Sequence, residues 1–221
     1  MLTWLASASL LAAVAVAARW WRRRVDALGR ARPFPVFSMA LLLVVGLGLF
    51  VPGVRHHQLE DRLAVVASDL AGYPVVVSCQ TAGQEWVDVG SELGYVRYGR
   101  DGVPERATLI KRAQCTDLSR YLRRHGDHPD NGQVLAVHVL THESMHMAGI
   151  TDEARAECFA VQRDARTARL LGASPEEAAN LARRYWRTFY PRMRDGYVSP
   201  ECKPGGQLDQ ALPDAPWLLT G

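Results

Sequence analysis

His142 and His146 flank Glu143 in the run His142-Glu143-Ser144-Met145-His146. On a helix, a spacing of four puts both imidazoles on one face, a turn apart. Two such nitrogens can take adjacent corners of a metal tetrahedron. Glu143 lies about 100° round the helix from His142. It is off the ligand face but within reach of a water held on a metal. This is the H-E-x-x-H pattern. Zn2+ is the expected cofactor and Glu143 the expected general base on zinc-bound water. A metal-free helix would have to find other partners for two imidazoles and a carboxyl in apolar surroundings.

A catalytic zinc takes three protein ligands and keeps one position open. The chain continues Met147-Ala148-Gly149-Ile150-Thr151-Asp152-Glu153-Ala154-Arg155-Ala156-Glu157-Cys158. Gly149 can adopt a left-handed conformation and turn the chain back, so that the next helix returns its first turns to the metal. Three carboxylates compete for the third position: Asp152, Glu153 and Glu157. Glu153 and Glu157 are four apart and share a face. Asp152 has the character of a helix N-terminal residue.

At these residues a resemblance can be named. His142-Glu143-x-x-His146 looks like the motif of the zincin superfamily of metallopeptidases. Asp152-Glu153-Ala154-Arg155-Ala156-Glu157 resembles the N-E-x-x-S-D segment of the thermolysin-like, glutamate-ligand zincins. That resemblance implies Glu153 as the zinc ligand and Glu157 as the carboxylate that orients His142 from behind. A second likeness competes. His142-Glu143-x-x-His146-x-x-Gly149-x-x-Asp152 is similar to the H-E-x-x-H-x-x-G-x-x-H/D motif of the metzincins, which implies Asp152. Spacing favours the second likeness, and helical register favours the first. The register makes Glu153 the preferred ligand, with Glu157 and Asp152 as alternatives. The resemblance covers only about 134–162. No clear methionine turn follows, Met193 being a weak candidate.

Other residues weigh less. His138, a turn before His142, reads as a packed histidine, with a proton shuttle or a group behind the ligands as the functional alternative. His125, His128, His56 and His57 read as solvated. Tyr190 and Tyr197 could donate to an oxyanion but read first as packing residues.

Gln133–Ala148 is apolar almost all round, which predicts a buried helix carrying the motif. Asp152–Leu171 reads as one long helix ended at Gly172. Ser174 and Glu177 form a capping box for another that runs to about Tyr190, before Pro191. Thr116–Arg124 is a shorter helix and 126–132 a loop. Upstream, Gln58–Leu70 has helical spacing. Pro74–Cys79, Leu93–Tyr98 and Ala107–Ile110 read as strands of a small antiparallel region. Leu93–Tyr98 could pair with an extended peptide by edge addition. So small a sheet leaves little room for a substrate cleft.

Two uncharged apolar runs precede all this, at 1–18 and 33–54, with an arginine-rich stretch at 19–32 between them. Both suit transmembrane helices. Positive charge follows the first run, whereas a signal peptide wants it before. The stretch 19–32 holds six arginines and one acid, against 20 bases and 22 acids elsewhere. The basic excess is therefore juxtamembrane and gives no argument for a nucleic-acid partner. The arginines place 19–32 in the cytoplasm and 55–221 outside it, in a multi-pass protein of the cell membrane. The four cysteines, Cys79, Cys115, Cys158 and Cys202, all fall in that outer part, and an oxidising compartment would pair them. Of three possible pairings, Cys79–Cys115 with Cys158–Cys202 closes the shorter loops.

The expected fold is α+β: two N-terminal transmembrane helices, then a zincin-like domain with a small β region and a helical active-site half. The expected function is a zinc metallopeptidase acting outside the membrane on a peptide or protein substrate, held at the lipid bilayer by two spans. The alternative is a zinc-binding structural or adaptor domain without hydrolysis.

Overall fold

A computed structural model of the chain describes residues 2–25, 29–88, 90, 92–123 and 129–218, with the backbone alone at 2 and 3. His125 and His128 lie outside the described residues. The chain divides into two units, Met1–Gln58 and Leu59–Gly221.

The first unit holds α1 (Leu2–Arg22) and the start of α2 (Val36–Ala71). Both helices are long and apolar enough to cross a membrane. Ser9 Oγ donates to the Leu42 carbonyl at 2.9 Å. Gly46 leaves room for Leu10, whose Cδ2 would stand 2.7 Å from an added Cβ. Small residues allow such close helix approach. α1 runs through Arg19, Trp20 and Trp21 to Arg22, since none of these breaks a helix. The helix expected at Gln58–Leu70 is not separate. It is the last part of α2, which is continuous over 36 residues. The polar run from Arg55 interrupts the hydropathy but not the backbone hydrogen bonding. Pro52 removes one donor within α2 without ending it.

The second unit begins in α2. Gly72, at φ +82°, ends that helix. β1 (Val76–Cys79), a single-turn helix α3 (Ala82–Glu85), β2 (Gly94–Tyr98) and β3 (Pro104–Ile110) follow. The sheet order is β1-β3-β2. β2 pairs antiparallel with β3, but β1 runs parallel to it, Val76 opposite Ala107. The expectation of a wholly antiparallel region is corrected here. The chain from β1 through α3 and β2 is long enough to bring β3 back in the same direction. That order leaves β2 as an edge strand.

α4 (Arg112–Arg123), α5 (Asn131–Met147), α6 (Glu153–Val161), α7 (Asp164–Leu170) and α8 (Pro175–Arg184) complete the unit. α5 begins at a capping box of Asp130 and Gln133 and is buried almost throughout, as its composition predicts. It packs on β2, β3, α4, α6, α7 and α8. Leu140 of α5 and Leu63, Ile110, Leu118 and Leu181 of the same core are fully buried, and each contributes roughly 1.5–3 kcal/mol by leaving water. Disulfides join Cys79 to Cys115 and Cys158 to Cys202, the pairing with the shorter loops.

Two expected helices are irregular. Asp152–Leu171 is two helices with a break at Gln162–Arg163. The Gln162 side chain bonds the carbonyls of Cys158 and Leu208 and accepts from the Gln210 amide, so the tail docks at the break. α8 has its capping box at Ser174 and Glu177, but gives way to a π-helical turn at Tyr185–Phe189 and a 3-10 turn at Tyr190–Arg192.

Candidate metal centre

α5 carries three histidines at spacings of four, and three of the acids on the chain that returns beside it meet them. Gly149, at φ +96°, makes the reversal. α6 then runs back along α5, so His146 and His142 meet Glu153 at the first turn, and His142 and His138 meet Glu157 one turn on. Asp164, at the start of α7, reaches His138.

The first cluster is His142, His146 and Glu153, a set that could hold a metal ion. The two Nε2 atoms are 2.9 Å apart. Glu153 Oε2 lies 3.2 Å from His142 Nε2 and 3.3 Å from His146 Nε2. A four-coordinate ion with bonds of about 2.0–2.1 Å spaces its ligand atoms by about 3.3 Å. The three donor atoms thus form a nearly regular triangle of the size such an ion needs. Glu153 Oε2 is buried and has no aligned hydrogen-bond donor among the described residues, despite its short distances to both rings. A cation at the centre of the triangle would satisfy it.

Both rings are oriented from behind. His146 Nδ1 is 2.8 Å from the Ile150 carbonyl and 3.3 Å from Tyr98 Oη. Its proton therefore sits on Nδ1, and the Nε2 lone pair is free. His142 Nδ1 lies 3.0 Å from Glu157 Oε2 without the alignment of a hydrogen bond, and a carboxylate so close favours the proton on that nitrogen. Asp152 is elsewhere employed: it caps α6, accepting from the Arg155 amide at 2.8 Å.

Glu143 borders the same cleft. Its Oε2 is buried without a hydrogen-bond partner among the described residues. Burial pushes its carboxyl up to about 7, with the Glu153 charge adding and the His142 charge opposing. Gly94 of β2 passes directly over it. A Cβ there would stand 3.0 Å from Glu143 Oε1. The cleft has a volume of about 360 Å³, with β2 on one side, Leu135 and Val139 of α5 on another, and Met193, Arg194 and Tyr197 on a third. The expectation of little room is therefore corrected. An edge strand facing α5, with the C-terminal segment opposite, encloses more than the small sheet could alone.

Behind the triangle lies a second cluster that the sequence reading left largely unassigned. His138 is buried between Asp164 Oδ2 at 2.9 Å and Glu157 Oε2 at 3.0 Å. Tyr185 stacks on His138 at 3.6 Å and donates to Glu157 Oε1 at 2.6 Å. Burial opposes charge on His138, but the two carboxylates outweigh it and hold the imidazolium up to about 10. Burial would likewise raise Glu157, but His138 and His142 keep it well below the usual carboxylate range. His138, His142 and Glu157 form a second set of metal-capable atoms, sharing His142 with the first.

The remaining candidates are placed as follows. Tyr197 stacks on His142 at 5.9 Å, with the Arg194 guanidinium 5.2 Å from its ring. The Tyr190 hydroxyl is bonded to Ser199, whose amide donates to it at 3.1 Å. Met193 follows the 3-10 turn and lines the cleft. His56 and His57 belong to α2 in the first unit. Asp164 and Tyr185 were missed. A signal for Asp164 exists: it lies seven residues after Glu157, on the same helical face, opposite the histidine at position 138.

Compared with protein-family models, with curated proteins and with solved structures, the chain has no match.

Proposed function

We propose that this protein is a zinc-dependent metallopeptidase of the glutamate-ligand zincin type, tethered to a membrane by α1 and α2. The observation that carries the proposal is the pairing of two features in one cleft: a donor triangle of zinc dimensions and, beside it, a buried Glu143 carboxyl whose Oε2 has no hydrogen-bond partner among the described residues. His142, His146 and Glu153 would hold the ion. Two imidazoles and one carboxylate are a set that zinc favours in hydrolytic sites. When bound, zinc would supply Lewis acidity, lowering the pKa of a water ligand to about 7 and polarising a carbonyl.

The chain's own residues supply the rest. Glu143, raised towards neutrality, accepts the proton of the attacking water and returns it to the leaving amine. β2 offers an unpaired strand edge along the cleft, suited to an extended peptide. Tyr197 stands beside His142, where a donor to a developing oxyanion belongs. The disulfides and the arginines of 19–32 support an extracytoplasmic position for the second unit. A reporter active only in the cytoplasm, fused after Gly221, is expected to stay silent. Its activity would overturn that orientation.

The test uses the full chain, produced in an oxidising compartment and purified in mild detergent. We expect about one zinc per chain, lost in His146→Ala and kept in Glu143→Gln, with peptide-library cleavage falling about 10²–10⁴-fold in the latter. Below about 0.1 zinc per folded chain, the proposal fails. Stoichiometric zinc with no cleavage above that of Glu143→Gln would leave a zinc-binding adaptor instead.

A further inference from the structure

The buried cluster behind the triangle does more than fill space. Glu157 Oε2 stands 3.0 Å from both His142 Nδ1 and His138 Nε2. Its other oxygen accepts from Tyr185. Each nitrogen of His138 faces a carboxylate oxygen, Asp164 on one side and Glu157 on the other. Both contacts are aligned hydrogen bonds, unlike those of His142 to Glu153 and Glu157, so with both carboxylates ionised His138 carries a proton on each nitrogen and cannot also offer a lone pair to a metal. His138, Glu157 and Asp164 are each exposed by 2% or less. Asp164 lies outside the cleft lining, whereas His138 and Glu157 form part of its inner wall beside His142.

We propose that Asp164, His138 and Tyr185 are positioning residues that fix the Glu157 carboxylate and, through it, the rotamer and Nδ1 tautomer of the ligand His142. The proposal rests on the zinc reading above. It also explains two departures from regular helix. The break at Gln162–Arg163 starts α7 at Asp164, and the π-helical turn begins at Tyr185. Each irregularity brings one member of the network onto His138 or Glu157. π-turns recur at functional sites because they re-aim a side chain. Charge is balanced as well. Asp164, His138 and Glu157 together carry −1, and a divalent ion with two neutral imidazoles and Glu153 carries +1. The buried network thus complements the metal it supports.

The test is zinc affinity of the full chain in detergent, by competition with a chromophoric chelator, together with the cobalt-substituted visible spectrum. Asp164→Asn and His138→Gln are expected to weaken zinc about 10–100-fold and to shift the cobalt bands, as loss of a partner behind a ligand does elsewhere. Tyr185→Phe keeps the stacked ring and removes only the hydroxyl. It is expected to weaken zinc several-fold. Leu118→Ala, a buried site on α4, which carries no member of the network, is expected to lower stability and leave affinity and spectrum unchanged. If Asp164→Asn and His138→Gln fail to fold, Tyr185→Phe decides the matter. Folded variants that bind zinc within twofold of wild type, with an unchanged cobalt spectrum, would overturn the positioning role alone. Two metal equivalents in the wild type would also overturn it, since among the described residues the other metal-capable set includes His138, assigned here as cation. A wild type that binds no metal overturns both this and the zinc reading.

Discussion

Gly94→Ala tests the geometry of the proposed base without touching a metal ligand. Gly94 is in β2, in contact distance of Glu143. An added Cβ would lie 3.0 Å from Oε1, 3.1 Å from Cγ and 3.2 Å from Cδ of Glu143. An ordinary carbon–oxygen contact needs a few tenths of an ångström more. The strand is fixed to β3 and the α5 backbone is packed on several sides, so the Glu143 side chain is what moves. Misplacing a catalytic group by about 1 Å can cost ~10²-fold. A few tenths should then cost roughly 3–10-fold in kcat, or about 0.7–1.4 kcal/mol. Gly94→Val adds two more methyl groups and should cost ~10²-fold or more. Stability should change little for alanine, because loss of glycine's freedom in the unfolded chain offsets the crowding by about 0.4–1 kcal/mol. The assay is steady-state cleavage of a peptide selected from a library, with metal content and thermal midpoint beside it. One zinc per chain and falling kcat, graded from alanine to valine, is expected. Full activity in Gly94→Val with zinc bound would refute Glu143 as the base beneath this strand.

Further outcomes follow from other parts of the structure. Glu153→Ala should abolish zinc binding, whereas Asp152→Ala should keep it and cost only about 1 kcal/mol for the lost helix cap; zinc loss in Asp152→Ala alone would reverse the choice between them. In the metal-free protein His138 titrates near 10 rather than 6.5, so its contribution to stability is complete below about pH 6.5 and is lost as pH rises through about 10. Urea midpoints of wild type should therefore fall across that window and those of His138→Gln should fall less, the remainder coming from His142, where burial opposes the charge but Glu153 and Glu157 hold it up to about 9; parallel curves would contradict the buried imidazolium. Removing the Cys79–Cys115 bond, which ties β1 to α4, should cost about 2–5 kcal/mol, read as a lower thermal midpoint in Cys79→Ala/Cys115→Ala; an unchanged midpoint would show that the bond adds nothing to the fold.

The sequence made some of this legible for local reasons. Four-residue spacing on a helix is a rigid ruler, so His142 and His146 had to converge once Gln133–Ala148 was read as helical. The Glu153–Glu157 stripe carried the same information about the returning helix, and the capping residue Asp152 was recognisable by its place before it. The pairing of cysteines followed from loop length. What stayed hidden depended on non-local contacts. Nothing in Val75-Val76-Val77 records strand direction, so the parallel pairing of β1 could not be read. The helix break at Gln162 comes from tail residues Leu208 and Gln210 docking some 46 and 48 positions away. The π-turn at Tyr185 has no punctuation in its sequence. Tyr185 was missed because the π-turn aims it, and Asp164 was missed although its seven-residue spacing from Glu157 was a signal. The join at Val54–Gln58 was misread for the opposite reason: hydropathy changes there, but helix propensity does not.

The most direct test of the central claim is anomalous X-ray diffraction at the zinc edge from crystals of the zinc-loaded full chain. We expect one strong peak about 2.0–2.2 Å from His142 Nε2, His146 Nε2 and Glu153 Oε2, with a fourth position turned towards Glu143. A peak coordinated by other residues, or none at these three in a folded, disulfide-bonded protein, would contradict the account.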